Sequence, residues 1–350
     1  MRAARYTEHG GPDVLTVVDV PDPEPGPGDV VVSVEAASLN RLDVVQRNGW
    51  FTLDGFTLPH ISGMDVAGTI DAIGSEVDGV GVGDRVVIDP SMSGVADNSK
   101  LAGRGDLYGE LGVIGATADG GYAERCLVPA SHVYAVPDDM PIEHAATFPT
   151  SYLTAHHAMV DVAGMTEGET VMIHAAGSGV SVAAIQVAKR MGATVLATAG
   201  TQPKLDLAIG LGADHVLNNR TGDVTGWARE VTQGRGVDLV LDHVGTALFA
   251  PSLFAIGIGG RLVTCGNTSG DEATIPSLGY LFHSRITIHG SDAYRPEEFA
   301  PVWDDFCAGH AAGDYRVQID DTYPLDGAAE AQERMLSNDV VGKLVLQPQT

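Results

Sequence analysis

The stretch Val171-Met-Ile-His-Ala-Ala-Gly-Ser-Gly-Val-Ser-Val-Ala-Ala-Ile-Gln-Val-Ala-Lys189 decides the fold. It begins with an apolar run typical of a buried strand, passes through small residues, and ends in the pattern of an amphipathic helix. Small side chains let a phosphate approach the main chain, and the free N–H groups of a helix N-terminus favour negative charge. The order therefore predicts a strand, a phosphate-binding turn and a helix.

The glycine pattern of this turn is incomplete. Of the full G-x-G-x-x-G fingerprint, Gly177-Ser178-Gly179 supplies only the first half. A frame shifted by one residue places Ala176, Ser178 and Ser181 at the three positions, and a buried strand–turn–helix without a ligand would look the same. Further apolar runs at 194–199, 236–245, 260–266 and 286–290 alternate with helical segments. This alternation predicts an α/β fold with a doubly wound parallel sheet of the Rossmann type.

Length and charge exclude several classes of function. At 350 residues the chain is long enough for two domains, and its formal net charge is −26. Such an acidic surface repels nucleic acid and anionic membranes, so neither is expected as a partner. No apolar run reaches the ~20 residues of a membrane span, no signal peptide is evident at the N-terminus, and the three cysteines form no C-x-x-C pair. We expect a cytoplasmic protein; the acidity fits either a high-salt environment or an acid-rich proteome.

Residues 1–130 have a different pattern from the middle of the chain. Short alternating runs at 14–18, 29–35, 66–73 and 85–88 predict strands, and the proline-rich segment 21–28 predicts a stiff connector. Another strand is predicted at 342–347. The expected domains are a β-rich one made of residues 1–149 and 294–350, and a dinucleotide-binding one made of residues 150–293.

Several short motifs show a family resemblance over nearly the whole chain. The chain resembles the medium-chain dehydrogenase/reductase superfamily, in the branch that contains quinone oxidoreductases and zinc-type alcohol dehydrogenase-like proteins. The motifs are Gly10-Gly-Pro-Asp-Val-Leu15, Gly28-Asp-Val-Val-Val32, Asn40-Arg-Leu-Asp43, Pro59-His-Ile-Ser-Gly-Met-Asp-Val-Ala-Gly68, Val82-Gly-Asp-Arg-Val86, Gly120-Gly-Tyr-Ala-Glu124 and the segment 171–189. The resemblance implies a GroES-like catalytic domain beside the Rossmann domain.

The resemblance also locates the positions that hold zinc in metal-dependent relatives. Those positions carry Asn40, Met64 and Thr150 here, and none of these side chains is a good zinc ligand. The stretch 91–104, which corresponds to a cysteine-rich structural zinc lobe, has no cysteine. Both metals are predicted to be absent, although histidines could in principle be recruited as ligands. The candidates are His60, His132, His156 and His157.

The expected cofactor is NADPH. Sheets that prefer NAD place a carboxylate about 20 residues past the glycines, whereas Thr198-Ala-Gly-Thr-Gln-Pro-Lys204 has none. Gly200 leaves room, Thr201 can donate a hydrogen bond, and Lys204, one of four lysines, can pair with a 2′-phosphate. The alternative is that Lys204 is only a solvated residue at a helix start. The resemblance implies further cofactor contacts at Asn40, Thr154, Ala176, Gly177, Ser178, Gly179, Val180, Val244, Gly266, Asn267 and Thr268.

The predicted chemistry is hydride transfer from C4 of NADPH to a small-molecule acceptor. Without a metal to polarise a carbonyl, activated acceptors such as quinones and α,β-unsaturated carbonyls are favoured. Asn40 would orient substrate and cofactor, Asp43 would brace the loop, and Arg47 would orient groups or screen charge. A tyrosine common in quinone reductases is replaced by Val45, so the final proton could come from water. The substrate pocket is predicted to be walled by Trp50, Phe51 and Phe56.

Three functions remain open at this point. The first is a zinc-independent, NADPH-dependent quinone or enone (enoyl) reductase. The second is an alcohol dehydrogenase or aldehyde reductase of the zinc-type-like family, and the third is a non-catalytic NADPH-binding protein. By the resemblance, a homodimer joined through the edge of the cofactor sheet is expected.

Overall fold

The chain divides into two units in the computed structural model, which describes residues 1–53, 55–92, 112–292 and 294–350. The first unit is Met1–Thr150, Arg295–Ala311 and Ile319–Thr350, and the second is Ser151–Tyr294 and Ala312–Gln318. The division expected from the sequence assigned the whole of 294–350 to the β-rich domain, so residues 312–318 are placed differently. They join the second unit because the Arg316 N–H donates to Gln186 at 2.6 Å and Asp314 pairs with Arg190 at 2.8 Å.

A seven-stranded sheet forms the centre of the first unit. Its central strand is buried at most positions, and since the adjacent Val30, Val31 and Val32 are all buried, both faces of this strand are covered. This strand is β3 (Asp29–Ser38), and it pairs antiparallel with three others. The path through the sheet is β10 (Val133–Ala135), β6 (Arg85–Ile88), β5 (Asp65–Ile73), β3, β18 (Lys343–Gln347) and β17 (Ile319–Pro324), with β9 (Arg125–Pro129) also on β3.

Two smaller sheets and four helices complete the first unit as described. The strands are β1 (Arg2–Tyr6), β2 (Thr16–Asp19) and β4 (His60–Ile61) in one sheet, and β7 (Ser91–Met92) and β8 (Gly112–Val113) in the other. The helices are α1 (Arg41–Arg47), α2 (Ile142–Ala146), α9 (Phe299–Ala312) and α10 (Ala328–Leu336). Phe148 packs edge-on against Phe299 and Trp303 of α9, with ring centroids 5.4 and 4.9 Å away. This aromatic cluster holds α9 against the rest of the unit.

The second unit contains a six-stranded sheet whose five pairings are all parallel. Its order is β13 (His215–Asn218), β12 (Thr194–Ala199), β11 (Thr170–Ile173), β14 (Val237–Asp242), β15 (Ile256–Thr264) and β16 (Thr287–Gly290). The helices are α3 (Pro149–His156), which starts in the first unit, α4 (Gly179–Arg190), α5 (Gln202–Gly210), α6 (Val224–Val231), α7 (Phe249–Ala255) and α8 (Leu278–His283). The predicted Rossmann-type sheet and GroES-like β-rich unit are confirmed.

The strand order of this sheet reverses between β11 and β14. Ligands of open α/β sheets bind beyond the carboxyl ends of the strands at such a reversal, so the turn after β11 is the expected place for one. Among the described residues, no helix is both long and apolar enough to cross a membrane.

Candidate functional site

The turn between β11 and α4 presents backbone N–H groups rather than side chains. Ser178 is the N-cap of α4 and makes no side-chain cap, so the N–H groups of Val180 and Ser181 at the helix start lack that partner. The Ala176 N–H donates to the Thr198 carbonyl at 2.9 Å, which ties the turn to β12. Ala175 has φ +51°, the left-handed conformation that lets the chain turn sharply. The geometry suits an anion at the start of α4.

Two cationic side chains lie against the glycines of this region. A Cβ added at Gly177 would lie 2.6 Å from Cγ and Cδ of Lys204, and one added at Gly200 would lie 2.6 Å from Nε of Arg220. Thr201 is the N-cap of α5 and also makes no side-chain cap. The carboxyl end of β12 therefore has a hydroxyl and two cations close by, which fits a phosphate next to a ribose.

Arg220 escaped the sequence analysis. It follows β13, and β13 lies next to β12 in the parallel sheet. Because parallel strands end at the same edge, the residues after β13 come close to those after β12. The strand order, once known, would have pointed to Arg220.

A buried network of imidazoles and hydroxyls lies beneath the turn. Ser252 Oγ donates to the Leu248 carbonyl at 2.5 Å, so it accepts the Nε2–H of His174 at 2.7 Å. His174 Nδ1 is then the acceptor for the Thr198 hydroxyl at 2.8 Å. This assignment holds for the neutral ring, which burial favours. Burial first, and then the neighbouring His243, lower the pKa of His174 to about 3.

The same network reaches α4 and the end of β14. The Ser181 hydroxyl donates to the His174 carbonyl at 2.6 Å and lies 2.7 Å from His243 Nε2. Asp242 accepts the N–H groups of Val244 and Gly245 at 2.7 and 3.1 Å, while burial raises the pKa of this carboxyl. The loop after β14 thus has a fixed shape before any ligand binds.

The four residues expected beside the nicotinamide are brought together. The Thr268 N–H donates to the His243 carbonyl at 3.2 Å, and the Ser269 N–H donates to the Val244 carbonyl at 2.7 Å. These bonds place Val244 and the segment 266–268 side by side at the carboxyl ends of β14 and β15. Asn267 donates to Asp271 at 3.0 Å, and Thr154 lies half-buried in α3.

In the first unit, Asn40 and Asp43 form the start of α1. Asp43 Oδ2 accepts the Asn40 N–H at 2.8 Å and the Tyr122 hydroxyl at 2.9 Å. Burial raises the pKa of Asp43 to about 6, and the two hydrogen bonds oppose that shift. This arrangement agrees with Asp43 bracing the loop.

A charged cluster that the sequence analysis missed lies next to Asn40. Lys343 Nζ donates to Asn40 Oδ1 at 2.8 Å and to Asp65 Oδ2 at 3.2 Å. Asp65 also accepts the hydroxyl of Ser38 at 3.0 Å and both the N–H and the hydroxyl of Thr150, at 2.9 and 2.6 Å. Only the scarcity of lysine in the chain could have drawn attention to Lys343.

The three positions that correspond to zinc ligands are engaged in other contacts. Asn40 accepts from Lys343 and Thr150 donates to Asp65, as above, while Met64 packs against the apolar cluster of Leu53, Val113 and Ala116. An amide, a thioether and a hydroxyl form a poor donor set for Zn²⁺. This donor set does not fit a catalytic zinc ion.

The candidate histidines also have other partners. His60 Nε2 lies 3.0 Å from the Gly115 carbonyl, and burial lowers the pKa of this side chain. His132 lies 2.9 Å from the Ser131 hydroxyl, and His156 lies 2.9 Å from Asp161. His157 follows directly on His156, at the start of a π-helical turn.

The remaining predicted residues of the first unit differ in their surroundings. Arg47 is fully buried, and its three guanidinium nitrogens have no hydrogen-bond partner among the described residues. Trp50 and Phe51 are 65% and 54% exposed. Phe56 packs inside the unit, with ring centroids 6.4 Å from Tyr6 and 5.0 Å from His60. Phe56 is thus packed among side chains of the unit, the role of Arg47 stays a prediction, and residues 93–111 lie outside the described residues.

Comparison with known proteins gives matches to both units. Residues 26–138 match the alcohol dehydrogenase GroES-like domain, and residues 179–307 match the zinc-binding dehydrogenase family. A quinone oxidoreductase of Pseudomonas aeruginosa is 31% identical, and the match covers 98% of each chain.

Two solved structures are informative about the cofactor. A crystal structure described as an NAD-dependent alcohol dehydrogenase has a TM-score of 0.91 and 39% identity, covering 99% of each chain. Escherichia coli quinone oxidoreductase complexed with NADPH has a TM-score of 0.82 and 26% identity, covering 99% of this chain and 100% of that one. The two similar structures thus differ in the cofactor that their descriptions name.

Proposed function

The chain belongs to the medium-chain dehydrogenase/reductase superfamily, in its quinone oxidoreductase branch, and we propose that it is a zinc-independent, NADPH-dependent reductase of activated acceptors. That it is an NAD(P)H-dependent oxidoreductase follows from the family. The finer statements, namely the phosphorylated cofactor, the absence of a metal and the acceptor class, are our proposal. The acceptors are quinones and α,β-unsaturated carbonyls, including enoyl compounds.

The preference for NADPH rests on the surroundings of Gly200. Lys204 and Arg220 bring two positive charges to the carboxyl end of β12, in a chain whose net charge is −26. The segment 198–204 has no carboxylate to accept a ribose 2′-OH. Such a local positive spot on an acidic protein suits a 2′-phosphate.

The other cofactor contacts are proposed at residues that line the carboxyl edge of the parallel sheet. NADPH, when bound, supplies a hydride from C4 of its nicotinamide. The N–H groups at the start of α4 would hold the pyrophosphate, and the loops after β14 and β15 would border the nicotinamide. The residues are Thr154, Ala176, Gly177, Ser178, Gly179, Val180, Val244, Gly266, Asn267 and Thr268.

Independence from zinc rests on the donor set around Asn40. Because no thiolate or imidazole occupies the three positions, a Lewis acid to polarise an isolated carbonyl is not part of the proposal. An acceptor that delocalises the incoming electrons onto its oxygen needs only a hydrogen-bond donor. We assign that donor to Asn40, with Asp43 as the brace of its loop and Arg47 as the residue that orients groups or screens charge. Trp50 and Phe51 stay candidates for the substrate pocket.

The first test measures NADPH oxidation and metal content on one sample. Quinones, enones, enoyl thioesters and aldehydes are offered as acceptors before and after dialysis against a chelator. We expect turnover of quinones or enones, less than 0.1 equivalent of zinc by this proposal, and no loss of rate on dialysis. Stoichiometric zinc with turnover of alcohols or aldehydes would instead favour the alternative, an alcohol dehydrogenase. The 39% identical structure described as an alcohol dehydrogenase supports that alternative.

The second test concerns the cofactor. Lys204→Ala, Arg220→Ala and the double variant remove the proposed partners of the 2′-phosphate. Since a hydrogen bond to a charged group contributes roughly 1.5–3 kcal/mol, each single change should raise KM for NADPH about 10- to 100-fold. KM for NADH should stay within about twofold. Arg235→Ala, which removes an exposed cation paired with Asp238, is the matched control. Equal losses with both cofactors would contradict the assignment.

The proposed assembly is a homodimer joined through the second unit. Strand β16 ends the sheet, and Ile258, Leu278 and Phe282 in its neighbourhood are 74%, 67% and 64% exposed. A second copy would cover this apolar surface. Light scattering should give twice the chain mass, and Phe282→Glu should give a monomer. A cytoplasmic location stays a prediction.

A further inference from the structure

Lys343 has a position that the proposed function does not yet explain. It is the first residue of β18, and the pairing of β18 with β3 carries it to the start of α1. Its side chain is 8% exposed, and that of its partner Asp65 is fully buried. A buried lysine is uncommon and needs a paired charge, which Asp65 supplies.

The ammonium group determines the orientation of the Asn40 carboxamide. An ammonium carries three donors and no acceptor, so the Asn40 atom at 2.8 Å must be the carbonyl oxygen. The Asn40 amide nitrogen is therefore on the opposite side, and it is buried with no hydrogen-bond partner among the described residues. A buried donor without a partner is costly and calls for a ligand or substrate group to accept from it.

We propose that Lys343 is a positioning residue for hydride transfer: its ammonium fixes the Asn40 carboxamide with the NH₂ group directed at the acceptor oxygen. This inference rests on the proposed function, in which Asn40 is the donor to that oxygen. The positive charge on the carbonyl side also polarises the amide, which makes its N–H groups stronger donors as negative charge develops on the acceptor. Lys343 thus supplies a fixed cation next to Asn40, which by the resemblance occupies the position of a metal ligand in zinc-dependent relatives.

The rest of the cluster restrains the ammonium. Asp65 is held by Ser38 and by two bonds from Thr150, so its carboxylate cannot turn away from Lys343. The Lys343–Asp65 pair has no net charge, but its positive charge lies on the ammonium group, which is the group that contacts Asn40. Removing Lys343 would remove the positive charge and one of the two groups that hold the Asn40 side chain, the other being the Asp43 N–H of the capping box.

The test compares Lys343→Met, Lys343→Arg and Asn40→Asp with the wild type. Lys343→Met should lower kcat for the best acceptor roughly 10- to 100-fold, a part of what the loss of one such donor costs. KM for NADPH should stay within about twofold, and Lys343→Arg should restore part of kcat. Asn40→Asp keeps an acceptor for Lys343 but lacks the N–H groups. Its kcat should therefore fall by at least as much as that of Lys343→Met. The double variant Lys343→Met/Asn40→Asp should have a kcat only slightly lower than that of Asn40→Asp alone.

Two readouts separate positioning from a loss of folded protein. With NADPH deuterated at the transferred position, Lys343→Met should raise the isotope effect on kcat, because the hydride step becomes slower. A smaller fraction of active protein would leave that isotope effect unchanged. Lys343→Met/Asp65→Asn removes the unpaired buried carboxylate and should recover the unfolding midpoint but not kcat. Recovery of kcat in this double variant would overturn the proposal.

Failure of this inference is distinguishable from failure of the proposed function. Turnover by the wild type tests the proposed function, whereas the ratio of kcat in Lys343→Met to kcat in the wild type tests the role of Lys343. Arg125→Met removes a partly exposed cation elsewhere in the first unit and should leave kcat and the isotope effect unchanged. If the wild type reduced no acceptor, the unfolding midpoints of Asn40→Ala, Lys343→Met and their double variant would decide. If the shift in the double variant equalled the sum of the shifts in the two single variants, Lys343 would not hold the amide.

Discussion

The first unit buries a charge pair, Asp65 with Lys343, whereas the second unit buries His174 between two hydroxyls, and burial keeps this ring neutral by lowering its pKa to about 3. In the first unit the charges satisfy each other and fix the residue that we propose acts on the acceptor. In the second unit the groups that we propose bind the cofactor are main-chain N–H groups and exposed or half-buried cations. We therefore expect substitutions in this cluster of the first unit to change both turnover and the free energy of unfolding. In the second unit, substitutions of the proposed cofactor contacts should change cofactor binding without a matching change in stability.

Breaking the charge pair should have the largest effect. Asp65→Ala leaves the Lys343 ammonium buried without its carboxylate, and the loss of one partner of a buried pair costs about 3–5 kcal/mol. Unfolding in urea, followed by circular dichroism, measures this loss.

The matched controls for this change act on the same carboxylate. Ser38→Ala removes one of its hydrogen bonds and should cost about 1 kcal/mol. The loss of stability in Asp65→Asn should lie between the losses in Asp65→Ala and Ser38→Ala. If Asp65→Ala cost no more than Ser38→Ala, the pair would not be stabilised by its charges.

The second unit should respond to acid through His174. Its pKa of about 3 in the folded chain lies below the ordinary 6.5, so the unfolded state binds more protons between these values. The free energy of unfolding should then rise with pH across this window, by roughly 2 kcal/mol between pH 4.5 and 6.5. His174→Asn should remove this part of the pH dependence. An unchanged slope in the variant would show that His174 is protonated in the folded state.

The first unit should respond in the opposite direction through Asp43. Its pKa is about 6 when folded and 3.8 ordinarily, so the folded state binds more protons between pH 4 and 6. This contribution to stability is present below pH 4 and decreases as pH rises through 6, by at most roughly 3 kcal/mol.

Asp43→Asn tests this contribution with both hydrogen bonds preserved. Asparagine can accept from Asn40 and Tyr122 with its one carbonyl oxygen, and Oδ1 of Asp43 has no partner among the described residues. The difference between the urea stabilities of wild type and variant should change with pH between 4 and 6 and be constant above 7. Asp43→Ala, which loses both bonds, should be less stable at every pH.

The same contrast explains what could be predicted from sequence. Most strands of the second unit follow continuous apolar runs, so a parallel sheet could be predicted, and β12 was predicted at 194–199, the residues it occupies. Strand β13, whose four residues are exposed or half-buried, was missed. The turn at 174–178 was predictable because its function depends on small residues. Arg220 was not, because its approach to Gly200 depends on which strand lies next to β12.

The cluster of the first unit was beyond sequence reasoning. Asn40 and Lys343 are 303 residues apart, and only the antiparallel pairing of β3 with β18 brings them together. Arg47 was expected to orient groups or to screen charge. The burial of its side chain in the last turn of α1 could not be predicted, because no local pattern distinguishes a buried arginine from an exposed one there.

The smallest expected effect concerns the backbone of the second unit's turn. Ala175 has φ +51°, a conformation that costs an L-residue about 1 kcal/mol and costs glycine little. Ala175→Gly should raise the free energy of unfolding by about 0.5 kcal/mol, since glycine also loses more entropy on folding. Ala176→Gly is the matched control: Ala176 is fully buried and not left-handed, so this change should destabilise. Destabilisation by Ala175→Gly would mean that its methyl group contributes more packing than the turn loses in strain, and the second unit's turn would then depend on side chains as the first unit does.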